Sequence, residues 1–206
     1  HVTVLGAGTM GHGIAQVSAM AGHDVTLRDI ESDIVADGVD AIRSNLAGGV
    51  ERGKVTHEEM DATLSRVTGE TDLAAAVDGA DLVAEAVPED LDLKTTVLTD
   101  AEDVASEDTI LATNTSSLSV TELASALERP GNLIGLHFFN PVHIMSLVEV
   151  VVGERTDDST REFGTEFVAG IDKTPVVVRD VPGFASSRLG VALGVEAIRM
   201  VEEGVA

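Results

Sequence analysis

The sequence has 206 residues, of which 13 are Lys or Arg and 36 are Asp or Glu, so the formal net charge is −23. So acidic a chain lacks the basic face that nucleic acid requires, and the absence of cysteine excludes disulfides and thiol chemistry. Apolar residues make up 44% of the chain, but no run reaches the roughly 18 that span a bilayer, so we expect a folded core and no membrane segment.

Short apolar runs alternate with longer amphipathic stretches along the chain, which is typical of a wound, mostly parallel α/β sheet with flanking helices. A Thr-x-x-Glu capping box at Thr56 and Glu59 predicts the start of a short helix. The other predicted helices cover residues 9–21, 32–52, 89–104, 120–127, 160–170 and 184–203. The predicted strands are 2–6, 24–29, a strand at Val67, 81–87, 110–113, 133–138, 147–152 and 175–179.

A domain boundary is predicted at residues 180–183, where Pro and Gly interrupt the pattern. We expect residues 1–181 to form one domain and residues 182–206 to form the first helix of an all-α C-terminal domain. The apolar residues of that helix have nothing in their own segment to pack against. We therefore expect most of the second domain to be missing from this sequence.

A glycine-rich segment, Gly-Ala-Gly-Thr-Met-Gly at residues 6–11, follows the first strand and opens a helix. Gly6 makes the tight turn, Gly8 lets the backbone approach a pyrophosphate, and Gly11 allows close packing of helix on strand. The amides at the helix start, at Thr9 and Met10, and the helix dipole then favour the anionic diphosphate. The alternative is an ordinary glycine-rich turn, which the complete βαβ context disfavours.

An acidic residue, Asp29, ends the second predicted strand 18 residues after Gly11. A carboxylate at this place accepts hydrogen bonds from a ribose 2′-hydroxyl and repels a 2′-phosphate, so it favours NAD over NADP. The adjacent Arg28 is a cation that could soften this preference, although we expect its side chain to point to the other face of the strand.

Among six histidines, His137 stands out because it lies near the carboxyl end of a strand, where wound α/β sheets bind ligands. Glu149, twelve residues later, lies in an apolar run, and a carboxylate buried there is costly unless it is paired. A His137–Glu149 pair would meet that cost and orient a general base. The alternative is a buried Glu149 satisfied by backbone amides.

Three further features are ambiguous from the residues alone. The Asn-Thr-Ser-Ser segment at 114–117 follows another predicted strand and either orients a ligand or caps the next helix. Glu89 and Lys94 could serve a site or could be ordinary charges on an exposed helix.

Several longer motifs together resemble those of the L-3-hydroxyacyl-CoA dehydrogenases, an NAD-dependent β-oxidation family, and the resemblance runs through essentially the whole chain. They are GAGTMGHGIAQ at 6–16, EAVPEDLDLK at 85–94, ATNTSSL at 112–118, GLHFFNPV at 135–142, LVEVV at 147–151 and DVPGFASSRL at 180–189. The resemblance implies a Rossmann-type fold, NAD as cofactor and an acyl-CoA thioester as substrate. It also implies a homodimer through the C-terminal domain and a cytoplasmic location.

The resemblance also implies roles for individual residues. His137 would be the general base, Glu149 its orienting partner, and Ser116 a ligand of the substrate oxygen. The remaining expected positions are Glu89, Lys94 and Asn114 for the cofactor and Asn140, Asn45 and Arg52 for the substrate.

One position departs from the family pattern. The block Pro-Gly-Phe-x-x-Asn-Arg usually has Asn on the substrate side, and this chain has Ser187 there. Serine reaches less far and has one donor fewer, so we expect Ser187→Asn to raise turnover about tenfold, which corresponds to about 1.4 kcal/mol.

Two other functions are also compatible with the sequence. One is a dehydrogenase of a free hydroxy or sugar acid, and the other is an NAD-binding module without catalysis. The charge of −23 also suggests adaptation to high salt, because counterions screen the self-repulsion of such a surface.

Overall fold

The computed structural model describes all 206 residues and contains eight strands and eight α-helices. The strands are β1 (Val2–Leu5), β2 (Val25–Arg28), β3 (Val67–Glu70), β4 (Leu82–Glu85), β5 (Ile110–Thr113), β6 (Leu133–Phe138), β7 (Leu147–Val152) and β8 (Thr174–Arg179). The helices are α1 (Thr9–Met20), α2 (Ser32–Glu51), α3 (His57–Ser65), α4 (Leu73–Val77), α5 (Leu91–Val104), α6 (Val120–Ala124), α7 (Asp158–Gly170) and α8 (Ser186–Glu202), with a 3₁₀-helix at Pro130–Asn132.

All eight strands belong to one sheet in the order β3-β2-β1-β4-β5-β6-β7-β8. Every neighbouring pair is parallel except β6 and β7, which are antiparallel. The chain winds from β1 outward to β3 and then returns to β4 on the other side of β1. This reversal leaves a crevice beyond the carboxyl ends of β1 and β4, where sheets of this kind bind ligands.

The core lies on both faces of the sheet, because successive side chains of a strand point to opposite faces. In β1, Val4 belongs to a cluster of 23 buried residues that includes side chains of α1, α2 and α7. The next residue, Leu5, belongs to a cluster of 14 on the other face, which includes side chains of α5 and α6. The predicted fold, a mostly parallel Rossmann-type sheet with flanking helices, is therefore confirmed.

Several element boundaries differ from the prediction for identifiable reasons. The helix predicted from residue 89 begins at Leu91, because the Asp90 carboxylate caps it by accepting from the Leu93 amide at 2.9 Å. The terminal helix begins at Ser186, since Phe184 has a left-handed φ of 47° and cannot be its first residue. The capping box of Thr56 with Glu59 is present as predicted.

Two short elements were not predicted at all. They are α4, whose five residues are too few to show a helical period, and the single 3₁₀ turn at Pro130–Asn132. No helix of the fold combines the length and the apolar character needed to cross a membrane.

Candidate active site

The glycine-rich segment lies between the carboxyl end of β1 and the start of α1. Gly6 has φ of 102°, and a Cβ there would come within 2.8 Å of the Ala86 carbonyl oxygen, so the turn requires glycine. A Cβ on Gly11 would collide with the Gly6 carbonyl, whereas one on Gly8 would meet nothing within 4 Å. Gly8 precedes the first helical residue, and no side chain caps α1. The first backbone amides of α1 therefore face open space that an anion can occupy.

A cavity of about 710 Å³ opens beside this turn, at the carboxyl ends of β1, β2, β4 and β5. Asp29 lies in its wall, where Oδ2 accepts from the Ala7 amide at 2.7 Å and Oδ1 accepts from the Ile30 amide at 2.8 Å. Arg28 lines the cavity as well, and its Nε donates to the Thr71 carbonyl at 3.0 Å. Size, uncapped helix and carboxylate together fit an adenine dinucleotide with an unphosphorylated ribose. The predicted cofactor residues in the lining are Gly6, Gly8, Thr9, Met10, Asp29, Glu89 and Asn114.

Glu89 connects the far wall of this cavity to the segment after β5. Its Oε1 accepts from the Thr115 hydroxyl at 2.7 Å and from the amides of Ser116 at 2.8 Å and Ser117 at 3.1 Å. Burial raises the pKa of Glu89, but these hydrogen bonds and nearby Lys94 outweigh it and hold the pKa below its ordinary value. Glu89 is therefore an anion that fixes the loop carrying Ser116.

Lys94 lies behind the cavity wall and is not part of its lining. Its Nζ donates to Glu85 Oε1 at 2.7 Å and to the Val87 carbonyl at 3.1 Å, and both side chains of the ion pair are fully buried. Glu85 also accepts from the Thr113 hydroxyl at 2.6 Å. Lys94 thus neutralises Glu85, which joins the ends of β4 and β5 under the cavity, and the direct contact of Lys94 with a cofactor stays a prediction.

His137 and Glu149 lie opposite each other on the antiparallel strands β6 and β7. His137 Nδ1 and Glu149 Oε2 are 2.7 Å apart, and the two side chains are 6% and 1% exposed. The Glu149 carboxylate further accepts from the Ala185 amide at 3.0 Å and from the Ser186 amide at 2.8 Å, both at Oε1. The two alternatives for Glu149, pairing with His137 and satisfaction by backbone amides, are thus both realised.

The electrostatic state of this pair follows from those contacts. Burial raises the pKa of Glu149, but hydrogen bonds from His137, from the amide and hydroxyl of Ser186 and from the Ala185 amide outweigh it, so the pKa lies below its ordinary value. An ionised Glu149 holds a proton on Nδ1 of His137 and leaves Nε2 as the free nitrogen. The rings of Phe139 and Phe184 pack on the imidazole at 4.5 and 5.7 Å between centroids.

The segment after β5 connects the His137–Glu149 pair to the cavity. The Asn114 side chain lines the cavity and accepts from the Phe138 amide at 2.9 Å, next to His137. Ser116 is exposed in the cavity wall, and its hydroxyl makes no hydrogen bond within the chain. Asn140 is exposed three residues beyond His137 and does not line the cavity.

The two residues expected to contact the acyl carrier lie elsewhere. Asn45 donates to Gln16 Oε1 at 3.1 Å between α2 and α1, and exposed Arg52 directly follows the last residue of α2. Neither lines the cavity. Arg52 does belong to a cationic neighbourhood, since burial first and then the charges of Lys173, Arg52 and His12 lower the pKa of His143.

Ser187 is half-buried in the first turn of α8, and its hydroxyl makes no hydrogen bond within the chain. The neighbouring Ser186, not Ser187, reaches the Glu149 carboxylate, with Oγ at 2.9 Å from Oε2. Sequence reasoning missed Ser186, and it also missed Glu85. For Glu85 the signal was present, because its neighbours Ala84 and Ala86 place a carboxylate in an apolar strand.

A mostly parallel sheet with a glycine-rich turn, an acidic residue after the second strand and a buried His–Glu pair near a dinucleotide-sized cavity defines an NAD-binding oxidoreductase. The sequence profile of the family described as "3-hydroxyacyl-CoA dehydrogenase, NAD binding domain" matches residues 1–181. The chain belongs to this 3-hydroxyacyl-CoA dehydrogenase family, and its cofactor is NAD.

Individual relatives agree with this assignment. The chain is 43% identical over 209 residues to the mitochondrial hydroxyacyl-coenzyme A dehydrogenase of Sus scrofa, covering 99% of this chain and 67% of that protein. It is 45% identical to the fatty acid oxidation complex subunit alpha of Idiomarina loihiensis, covering 98% of this chain but 28% of that one. The crystal structure of (S)-3-hydroxybutyryl-CoA dehydrogenase from Ralstonia eutropha superimposes with a TM-score of 0.96 at 37% identity, covering 100% of this chain and 72% of that one.

Proposed function

We propose that the protein interconverts L-3-hydroxyacyl-CoA and 3-oxoacyl-CoA with NAD, with His137 as the general base. The observation that carries this proposal is the buried His137–Glu149 pair, held at 2.7 Å next to the strand end that Asn114 connects to the cofactor cavity. The family membership of the chain and the names of its relatives support the same reaction.

The residues of this chain would divide the work as follows. His137 Nε2 accepts the proton of the substrate 3-hydroxyl, while Glu149 keeps Nδ1 protonated and stabilises the imidazolium that forms. The free Ser116 hydroxyl binds the substrate oxygen, in a loop that Glu89 holds in place. Bound NAD supplies the acceptor for the hydride that leaves C3.

The first test measures NADH oxidation by the full-length protein with acetoacetyl-CoA in molar potassium chloride. NADPH in place of NADH tests the role of Asp29, and free acetoacetate in place of the thioester tests the substrate class. Turnover with the thioester and NADH alone is the expected result. Turnover with free acetoacetate would favour a free-acid dehydrogenase, and NADH binding without any turnover would favour a non-catalytic module.

The acyl carrier would contact the cationic neighbourhood of Arg52 and Lys173, together with Asn45. Both cations act on the neighbouring His143 and lower its pKa, on a chain with a net charge of −23, and CoA carries phosphates. We expect Arg52→Gln to raise the KM for acetoacetyl-CoA several-fold. The KM for acetoacetyl-pantetheine, which lacks the phosphates of CoA, should stay unchanged, and an equal rise for both would contradict this assignment.

We also propose that the chain divides into an NAD-binding domain, residues 1–181, and the first helix of a helical C-terminal domain, residues 182–206. The protein would form a homodimer through that C-terminal domain. Helix α8 exposes a row of large apolar side chains that needs a covering surface: Leu189, Val191, Leu193, Val195, Ile198, Met200 and Val201. Light scattering on the full-length protein measures the oligomeric state, and a monomer at all concentrations would contradict the dimer.

Two properties of the surroundings complete the proposal. The net charge of −23 supports adaptation to high salt, so we expect a higher unfolding temperature in molar potassium chloride than in dilute buffer. Equal stability in both would contradict it.

NAD and CoA thioesters are charged molecules that do not cross a bilayer unaided, which supports a cytoplasmic location, and cell fractionation tests this.

A further inference from the structure

The Glu149 carboxylate is shared between His137 and the first turn of α8. Oε2 accepts from His137 Nδ1 at 2.7 Å and from the Ser186 hydroxyl at 2.9 Å, while Oε1 accepts the amides of Ser186 and Ala185. Ser186 therefore supplies two of the four hydrogen bonds, and its hydroxyl shares an oxygen with the imidazole.

We propose that Ser186 is a positioning residue for the His137–Glu149 pair, whose hydroxyl orients the carboxylate and limits how strongly Oε2 attracts the imidazole proton. A second donor on one carboxylate oxygen withdraws negative charge from it, so the imidazolium beside it gains less stabilisation. The same donor holds the carboxylate against rotation about its last side-chain bond, and this fixes the direction of the imidazole.

The groups around His137 allow the effect of the Ser186 hydroxyl to be separated from the effects of other charged side chains. Strand β7 contributes Glu149, the only charged side chain that pairs with His137. The segment before α8 contributes the Phe184 ring, and the segment after β6 contributes the Phe139 ring. Apart from His137, the Ser186 hydroxyl is thus the side-chain donor on Glu149, and a substitution can remove it.

The test uses the isosteric variants Ser186→Thr and Ser186→Val in the full-length protein, because they differ only in whether a hydroxyl or a methyl faces Oε2. The pH midpoint of the His137 imidazole is followed by ¹⁵N NMR, with its resonance identified by its loss in His137→Gln. We expect the Val variant to move the midpoint upward, because Oε2 then keeps more negative charge, and the Thr variant to keep it. Ser65→Ala, which removes an exposed hydroxyl at the end of α3, serves as the control and should change nothing.

The inference rests on the proposed function for its consequence in catalysis, where the acid limb of the pH–rate profile should move with the NMR midpoint. In the Val variant we expect turnover to fall about threefold at its optimum, with the KM for NADH unchanged. An unchanged midpoint in the Val variant, or equal shifts in Val and Thr, would overturn the inference. If the parent protein turns over no thioester, the proposed function fails, and the NMR midpoints still decide the role of Ser186.

Discussion

Two buried carboxylates in this molecule are each paired with a basic side chain, but of different types. Glu85, at the end of β4, faces Lys94, and Glu149, in β7, faces His137, and both ion pairs have an N–O distance of 2.7 Å. All four side chains are at most 6% exposed. Distance and burial therefore do not separate the two pairs, and only the chemistry of the cation does.

Lysine carries a fixed charge near neutral pH, whereas an imidazole gains and loses a proton there. The Glu85–Lys94 pair is consequently suited to holding strand ends together, and three groups, Glu85, Glu89 and the Val87 carbonyl, surround the ammonium. The Glu149–His137 pair can pass a proton while its carboxylate stays ionised. The first pair is therefore suited to stability, and the second has the proton chemistry that the proposed general base requires.

The largest effect that this comparison predicts is on turnover, in His137→Gln. The glutamine amide can still donate to Glu149, so the fold should be kept, but no group remains to accept the substrate proton. We expect turnover to fall about a thousandfold with NADH affinity unchanged, measured by steady-state rates and fluorescence titration. His57→Gln, at an exposed position in α3, is the control, and a similar rate for His137→Gln and the parent would remove His137 as the base.

The second prediction concerns stability, in Lys94→Met. It leaves the buried Glu85 carboxylate without its cation, and breaking a buried pair in this way costs about 3 kcal/mol or more. Urea unfolding should show this loss, while Lys54→Met, which removes an exposed lysine, should be nearly neutral. The double variant Glu85→Gln with Lys94→Met should recover part of the loss. If it recovers nothing, the ion pair does not carry the stability.

The third prediction is at position 187, next in sequence to Ser186, which contacts Glu149. The Ser187 hydroxyl has no partner within the chain, so a longer amide at this place can reach a substrate that serine does not. We expect Ser187→Asn to raise turnover about tenfold, equivalent to about 1.4 kcal/mol, with stability unchanged. Equal turnover in the two proteins would show that the residue does not contact the substrate.

Much of the site could be predicted from the sequence because its parts have local signals. The turn at Gly6 and the acidic Asp29 follow from spacing within one βαβ unit. The His137–Glu149 pair follows from the cost of burying a carboxylate, and the antiparallel register then places the two residues opposite each other.

Other parts depend on contacts that no local pattern encodes. Lys94 lies on a helix whose charges resemble those of a solvated surface, and only the packing of α5 on β4 turns it inward. Ser186 reaches Glu149 across 37 residues of chain, through a turn in which Phe184 has a left-handed φ. Neither the inward lysine nor the bridging hydroxyl could be inferred from spacing.

The smallest predicted effect is on the free energy of unfolding at low pH, through the Glu149 carboxylate. The pKa of Glu149 in the folded chain lies below its ordinary value of 4.5, because its hydrogen bonds outweigh burial. As the pH falls, the unfolded chain takes up this proton first, so the contribution of Glu149 is complete above about pH 4.5 and is lost as the pH falls through the lower folded value.

In a His137→Gln background, where no imidazole at this place can titrate, the protein with Glu149 should therefore lose more stability than the protein with Glu149→Gln when urea unfolding at about pH 6 is compared with about pH 3.5. Asp180 and Glu89 also have a lowered pKa, but both remain in the two proteins, so the difference between them isolates Glu149. Equal losses in the two proteins would mean that the hydrogen bonds from residue 137 and α8 do not favour the ionised carboxylate. The Glu149–His137 pair would then lack the ionised carboxylate that the proposed proton transfer requires, and it would no longer differ in this respect from a purely structural pair.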